Sequence, residues 1–107
     1  RLTELGITAT PLPYQRVLLE NSTTMTYRGI PLRVPRPAIW ALHKIAISQA
    51  RSGRDARLKM IKDLENAHIV VNWMGKEPIL AELEPFKGKF RKLFLKGFAL
   101  LKERYEI

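Results

Sequence analysis

A chain of 107 residues, 46% hydrophobic and 27% charged, has enough apolar content for one domain with a modest core and too much to be disordered. Nineteen Lys and Arg against ten Asp and Glu give a net charge of +9, which suits an anionic partner such as nucleic acid, an acidic protein or a phosphorylated small molecule. The absence of cysteine excludes disulfides, thiolate chemistry and cysteine-ligated zinc; no apolar run approaches the roughly 18 residues that span a bilayer and no signal peptide is visible, so a cytoplasmic protein without a membrane partner is expected.

In chain order, Leu2 to Gly6 read like the interior of a longer protein. Thr8 to Pro13 should be extended, because Pro11 and Pro13 disfavour helix on both sides. Tyr14 to Glu20 fits either a short strand or a single helical turn. Thr23 to Tyr27 is β-rich, Arg28-Gly29 is turn-like, and Ile30, Leu32 and Val34 alternate. This predicts a hairpin with those three residues inward and Arg28 and Arg33 towards solvent.

Pro35 and Pro37 mark the switch to helix, since a proline at the first turn lacks only an N–H that has no intrahelical partner. Ile39, Leu42, Ala46 and Ala50 then recur at helical spacing, with Trp40, His43 and Ile47 on an adjoining stripe. Ser52-Gly53 breaks this helix, and a second opens near Arg54-Asp55, where the acid complements the helix dipole. Its core face is Leu58, Ile61, Leu64, Ala67, Val71 and Met74, and Gly75 is its C-cap. A short helix from Glu77-Pro78 follows, and after Gly88 a last helix carries Phe90, Leu93, Phe94, Gly97, Phe98, Leu101 and Tyr105 on one face. The expected fold class is α+β: residues 1–35 extended or β, residues 36–107 about four helices in a small bundle, all one domain.

The chemistry concentrates in the middle. From Arg28 to Lys62 there are nine Lys or Arg and one acid, Asp55, a surplus of +8. Lys44 lies between Leu42 and Ile45, close to the core stripe. Either its stem snorkels to water or its ammonium enters a cleft as a point charge for phosphate. Lys62 and Asp63 diverge by about 100° on a helix and do not act as one contact. Pattern alone favours a surface pair between Asp63 and Lys59, four residues earlier. The alternative is that Asp63 reaches Lys44 or Arg51 across a helix interface and holds a cation in a fixed pose.

Other chemistries lack support. His43 and His68 have no zinc-like spacing, and the second reads as a half-buried helix residue that Glu65 contacts. No nucleophile elbow surrounds Ser22, Ser48 or Ser52, and there is no Walker-type glycine loop. Phosphoryl transfer ordinarily uses paired carboxylates on metal, and Glu82 with Glu84 is the nearest such pair, in a helical segment. On the last helix, Lys89, Lys92 and Lys96 line up at three-four spacing, either as solvated surface or along a nucleic-acid backbone.

The run Arg33-Val34-Pro35-Arg36-Pro37-Ala38, then Ala41-Leu42-His43-Lys44 and later Lys59-x-x-Lys62-Asp63-Leu64, resembles the C-terminal region of a bacterial group of nucleotidyltransferase-fold proteins. These are distantly similar to the minimal nucleotidyltransferases and the AbiEii-type toxins. The stretch Leu5-Gly6-Ile7-Thr8-Ala9, with Pro11-Leu12 and Tyr14, fits the same pattern. The resemblance covers most of the chain to about Asn72. It implies an upstream catalytic head of the same protein, with a Gly-Ser or Gly-Gly turn and an Asp-x-Asp that binds Mg2+ beside a nucleoside triphosphate; this chain has neither element, so none of its residues is assigned as catalytic and it needs no cofactor of its own. By motif match the nucleotide-lining roles fall on Lys44 and on Lys62 with Asp63, more weakly on Arg51, and a third metal carboxylate on Glu20.

The leading expectation is therefore the helical wall of a nucleotide cleft, not catalytic alone, with Lys44 on phosphate and Asp63 orienting it. The alternative is a basic nucleic-acid-binding or protein-interaction module. A third reading is a homo-oligomer in which Phe90, Phe94, Phe98 and Leu101 meet a second subunit.

Overall fold

The computed structural model describes residues 14–107, so the extended stretch expected at Thr8 to Pro13 and the motif pieces before Tyr14 lie outside the described residues. The element order is helix α1 (Gln15–Glu20), strands β1 (Ser22–Tyr27) and β2 (Ile30–Pro35), then helices α2 (Pro37–Ser48), α3 (Ala56–Met74), α4 (Lys76–Glu82) and α5 (Gly88–Tyr105). The α+β class is as expected, and the ambiguous segment before the hairpin resolves as helix.

The hairpin is antiparallel, with Tyr27 opposite Ile30, Met25 opposite Leu32 and Thr23 opposite Val34. Arg28 and Gly29 both take positive φ, 51° and 79°, which the two-residue turn joining right-twisted strands requires. Directly opposed residues share a face, so Met25, Tyr27, Ile30 and Leu32 form an apolar patch. The expectation that this face points inward is corrected: Ile30 is 59% exposed and Leu32 42%. Period-two alternation identified the apolar side of the ribbon but not whether anything covers it. Arg33 is exposed on the opposite, polar face, as expected, and donates from Nε and Nη2 to Ser22 Oγ at 3.0 and 2.7 Å.

α2 is the centre of the molecule. Proline stands at its first position, and α1, α3, α4 and α5 all pack around it. Nine of its twelve residues are buried, from Ala38 to Ser48. The stripes drawn from Ile39, Leu42 and Ala46 and from Trp40, His43 and Ile47 are together still too narrow. Ala38, Ala41 and Ile45 are also enclosed, because partners sit on several sides of the helix.

Around this axis α3 contributes Leu64, Ala67 and Val71, and α4 contributes Ile79. Leu58, expected in the core, is 68% exposed, because at 100° per residue it lies about 180° round α3 from the buried Ala67, on the outer face. α5 buries Phe90, Phe94, Gly97, Phe98 and Leu101 against α2. Those aromatics fill this chain's own core, so a second subunit would have to meet another face. At the α2–α5 crossing a methyl group on Gly97 would sit 2.9 Å from Ile45 Cγ2 and against the Ile45 carbonyl, so two backbones touch there. Arg36, at the N-cap of α2, grips Glu82 of α4 through Nε and Nη2 at 3.2 and 2.7 Å. No helix among the described residues is long and apolar enough to cross a membrane.

Candidate functional site

Packing α3 along α2 brings the last turns of one against the early turns of the other, and the sequence's isolated cations meet there. Asp63 is 2% exposed. Arg51, in the link after α2, donates from Nε to Asp63 Oδ2 at 2.7 Å and from Nη2 to Oδ1 at 2.9 Å. This fork-to-fork geometry is the strongest form of a charge-assisted pair. Lys44 Nζ lies 3.5 Å from the same Oδ1, at the outer edge of ion pairing, and 5.5 Å from the centroid of the Trp40 ring. Trp40 therefore borders the ammonium, half-buried.

Of the four residues expected to line a nucleotide, three come together: Lys44, Arg51 and Asp63. Lys62 is exposed and belongs to the outer face of α3, as its 100° offset from Asp63 dictates. The surface pair Lys59–Asp63, which pattern favoured, does not form, because Asp63 faces α2. Arg51, the weakest assignment from sequence, is the principal partner. Its signal was present but indirect: a cation immediately beyond a buried helix, with the helix break at Ser52-Gly53 turning it back over α3.

The electrostatics of the cluster are asymmetric. One buried carboxylate serves two cations, leaving a surplus of one positive charge, and the side chains of Lys44 and Arg51 are each 20% exposed. The hydrogen bonds to Asp63 push the Arg51 pKa above its ordinary value, with burial opposing them less strongly. A raised pKa contributes stability that is fully present below the unfolded value and lost only beyond the folded one. Arg51 therefore stays charged through any ordinary pH. The arrangement is a fixed, permanently cationic surface element that can meet an anion without reorganising its buried half.

Its residues do not fit a magnesium ion. The single carboxylate is already held bidentate by Arg51, and the surroundings are cationic. Among the described residues no group of three or more His, Cys, Asp or Glu could hold a metal. Glu20, matched by resemblance to a metal carboxylate, stands at the end of α1 rather than on a strand, exposed and paired with Arg16 at 3.1 Å. Glu82 is occupied by Arg36. His68 stacks on Tyr105 at 3.9 Å between ring centroids rather than contacting Glu65, and His43 is buried in α2.

A concavity of about 410 Å³ opens between α3 and α5, floored by Met60, Ile61, Leu64 and Leu100. None of the cluster's residues lines it, and its rim mixes Arg57 and Arg104 with Glu103.

The nucleotidyltransferase family model matches residues 1–85, and the chain belongs to that family. No curated protein and no solved structure matches it. The matched stretch includes the hairpin, α2, α3 and α4, and with them Lys44, Arg51 and Asp63; it ends before α5.

Proposed function

We propose that this chain is the C-terminal, largely helical portion of a nucleotidyltransferase and forms one wall of its nucleotide cleft. The observation that carries the reading is the buried Asp63 carboxylate, pinned by Arg51 and flanked by Lys44, with one net positive charge presented outward from two partly exposed cations. Lys44, held less tightly than Arg51, supplies the phosphate contact as a mobile point charge. Asp63 and Arg51 are the positioning pair, and Lys62 adds only long-range attraction from the neighbouring face. Mg2+ belongs to carboxylates elsewhere in the full protein, where it would neutralise charge on the transferred phosphoryl group; here the residues bind and orient.

Equilibrium dialysis of labelled nucleoside triphosphates against the purified chain tests this. The reading predicts weak binding that Lys44→Met reduces at least tenfold while urea unfolding stays near that of the parent. Binding untouched by Lys44→Met would overturn it. The fragment should also fail to transfer nucleotide in the presence of Mg2+, and robust transfer would contradict the wall assignment.

A further inference from the structure

Between Glu84 and Glu103 the chain carries six Lys or Arg and no acid. The structure divides these by role. Arg91 is half-buried, donating from Nη1 to the carbonyls of Leu83 and Phe86 at 3.2 Å each, so it fastens the turn before α5. Lys102 lies over the Phe98 ring at 5.4 Å. Lys87, Lys89, Lys92 and Lys96 are exposed and make no ion pair or hydrogen bond among the described residues.

Three of them form a ladder. Lys89, Lys92 and Lys96 follow at three and four residues on one side of α5, opposite the face that buries Phe90, Phe94, Gly97 and Phe98. Lys89 to Lys96 spans about 10.5 Å along the helix axis. Long, flexible lysine side chains let rungs at this spacing reach neighbouring phosphates of one strand. As a merely solvated face the arrangement is self-unfavourable. Neighbouring rungs repel at i,i+3 and i,i+4, and the first turn of α5 has no acid to offset the positive end of the helix dipole. An ordinary solvated helix intersperses Glu to relieve this.

We propose that the outer face of α5 binds the phosphodiester backbone of nucleic acid through Lys89, Lys92 and Lys96, with Lys87 at its start. The contact is to phosphate and carries no base readout. It is independent of the Lys44–Arg51–Asp63 cluster, which sits on the α2–α3 side, and α5 lies beyond the stretch matched by the family.

The test is fluorescence anisotropy with a labelled 20-mer, single- and double-stranded, from 50 to 300 mM salt. The triple variant Lys89→Gln/Lys92→Gln/Lys96→Gln should lower the magnitude of the log–log salt slope by about 2.7 on duplex and about 2.1 on single strand, and weaken binding at 150 mM on the order of tenfold to a hundredfold. A control that removes the same charge elsewhere, Arg16→Gln/Arg54→Gln/Lys59→Gln, should leave the slope within about 1 of the parent's. Circular dichroism confirms that both variants fold. The proposal fails if the parent shows no salt-sensitive binding, if the control matches the ladder variant, or if poly-glutamate binds more tightly than the oligonucleotide, which would point to an acidic protein instead.

Discussion

Replacing Arg51 with Met removes two charge-assisted hydrogen bonds from a carboxylate that is 2% exposed. Each such bond contributes on the order of 1.5–3 kcal/mol. Lys44, already 3.5 Å from Oδ1, remains as a compensating cation and can close in, so the full cost of an unpaired buried charge is not reached. The net loss works out at about 2–4 kcal/mol, a large share of the roughly 5–15 kcal/mol expected for a domain. Lys44→Met leaves the Arg51–Asp63 fork intact and keeps the apolar stem against Trp40, so it costs about 0.5–1 kcal/mol. Urea unfolding followed by circular dichroism measures both, with unchanged m-values showing that stability alone has moved. Equal losses in the two variants would refute the reasoning, because they would mean that Lys44, not Arg51, neutralises Asp63.

Gly97→Ala should destabilise by about 1–3 kcal/mol despite alanine's helix preference of about 1 kcal/mol, because the methyl meets the Ile45 backbone; thermal unfolding checks this, and a stabilised variant would contradict the α2–α5 crossing. Leu32→Lys on the bare hairpin face should stay within about 0.5 kcal/mol of the parent in urea unfolding, and a larger loss would mean that the face is covered. Glu82→Ala frees the half-exposed Arg36 and should cost about 1 kcal/mol in the same assay, in proportion to the salt sensitivity of a surface pair.

Periodicity made the helices legible. Gly75 marks the end of α3, taking positive φ as its C-cap where glycine does so without strain, whereas Gly53 lies within the link and α2 has already ended at Ser48. What periodicity left out was the number of neighbours each element has. α2 reads as amphipathic until its partners on other sides are counted, and the hairpin reads as half-buried although nothing among the described residues covers its apolar face. Leu58 fails for a different reason: the three three-residue steps from Leu58 to Ala67 drift about 180° round the helix, so the two cannot share a face. The site was half legible. Lys44 stood out as a charged residue close to the core stripe, a costly position that asks for a partner, whereas spacing favoured Asp63 as the surface partner of Lys59. That the partner of Asp63 is chiefly Arg51 depends on how the 49–55 link folds back, and spacing in sequence carries no record of that.

The most direct measurement is a titration of nucleoside triphosphate into the 15N-labelled chain, reading amide shifts and the Arg51 Nε resonance. The account predicts saturable shifts centred on Lys44, Arg51 and their neighbours on α2 and α3, abolished by Lys44→Met in a chain that remains folded. Shifts confined to the lysines of α5, with Lys44 and Arg51 unmoved at millimolar nucleotide, would contradict it.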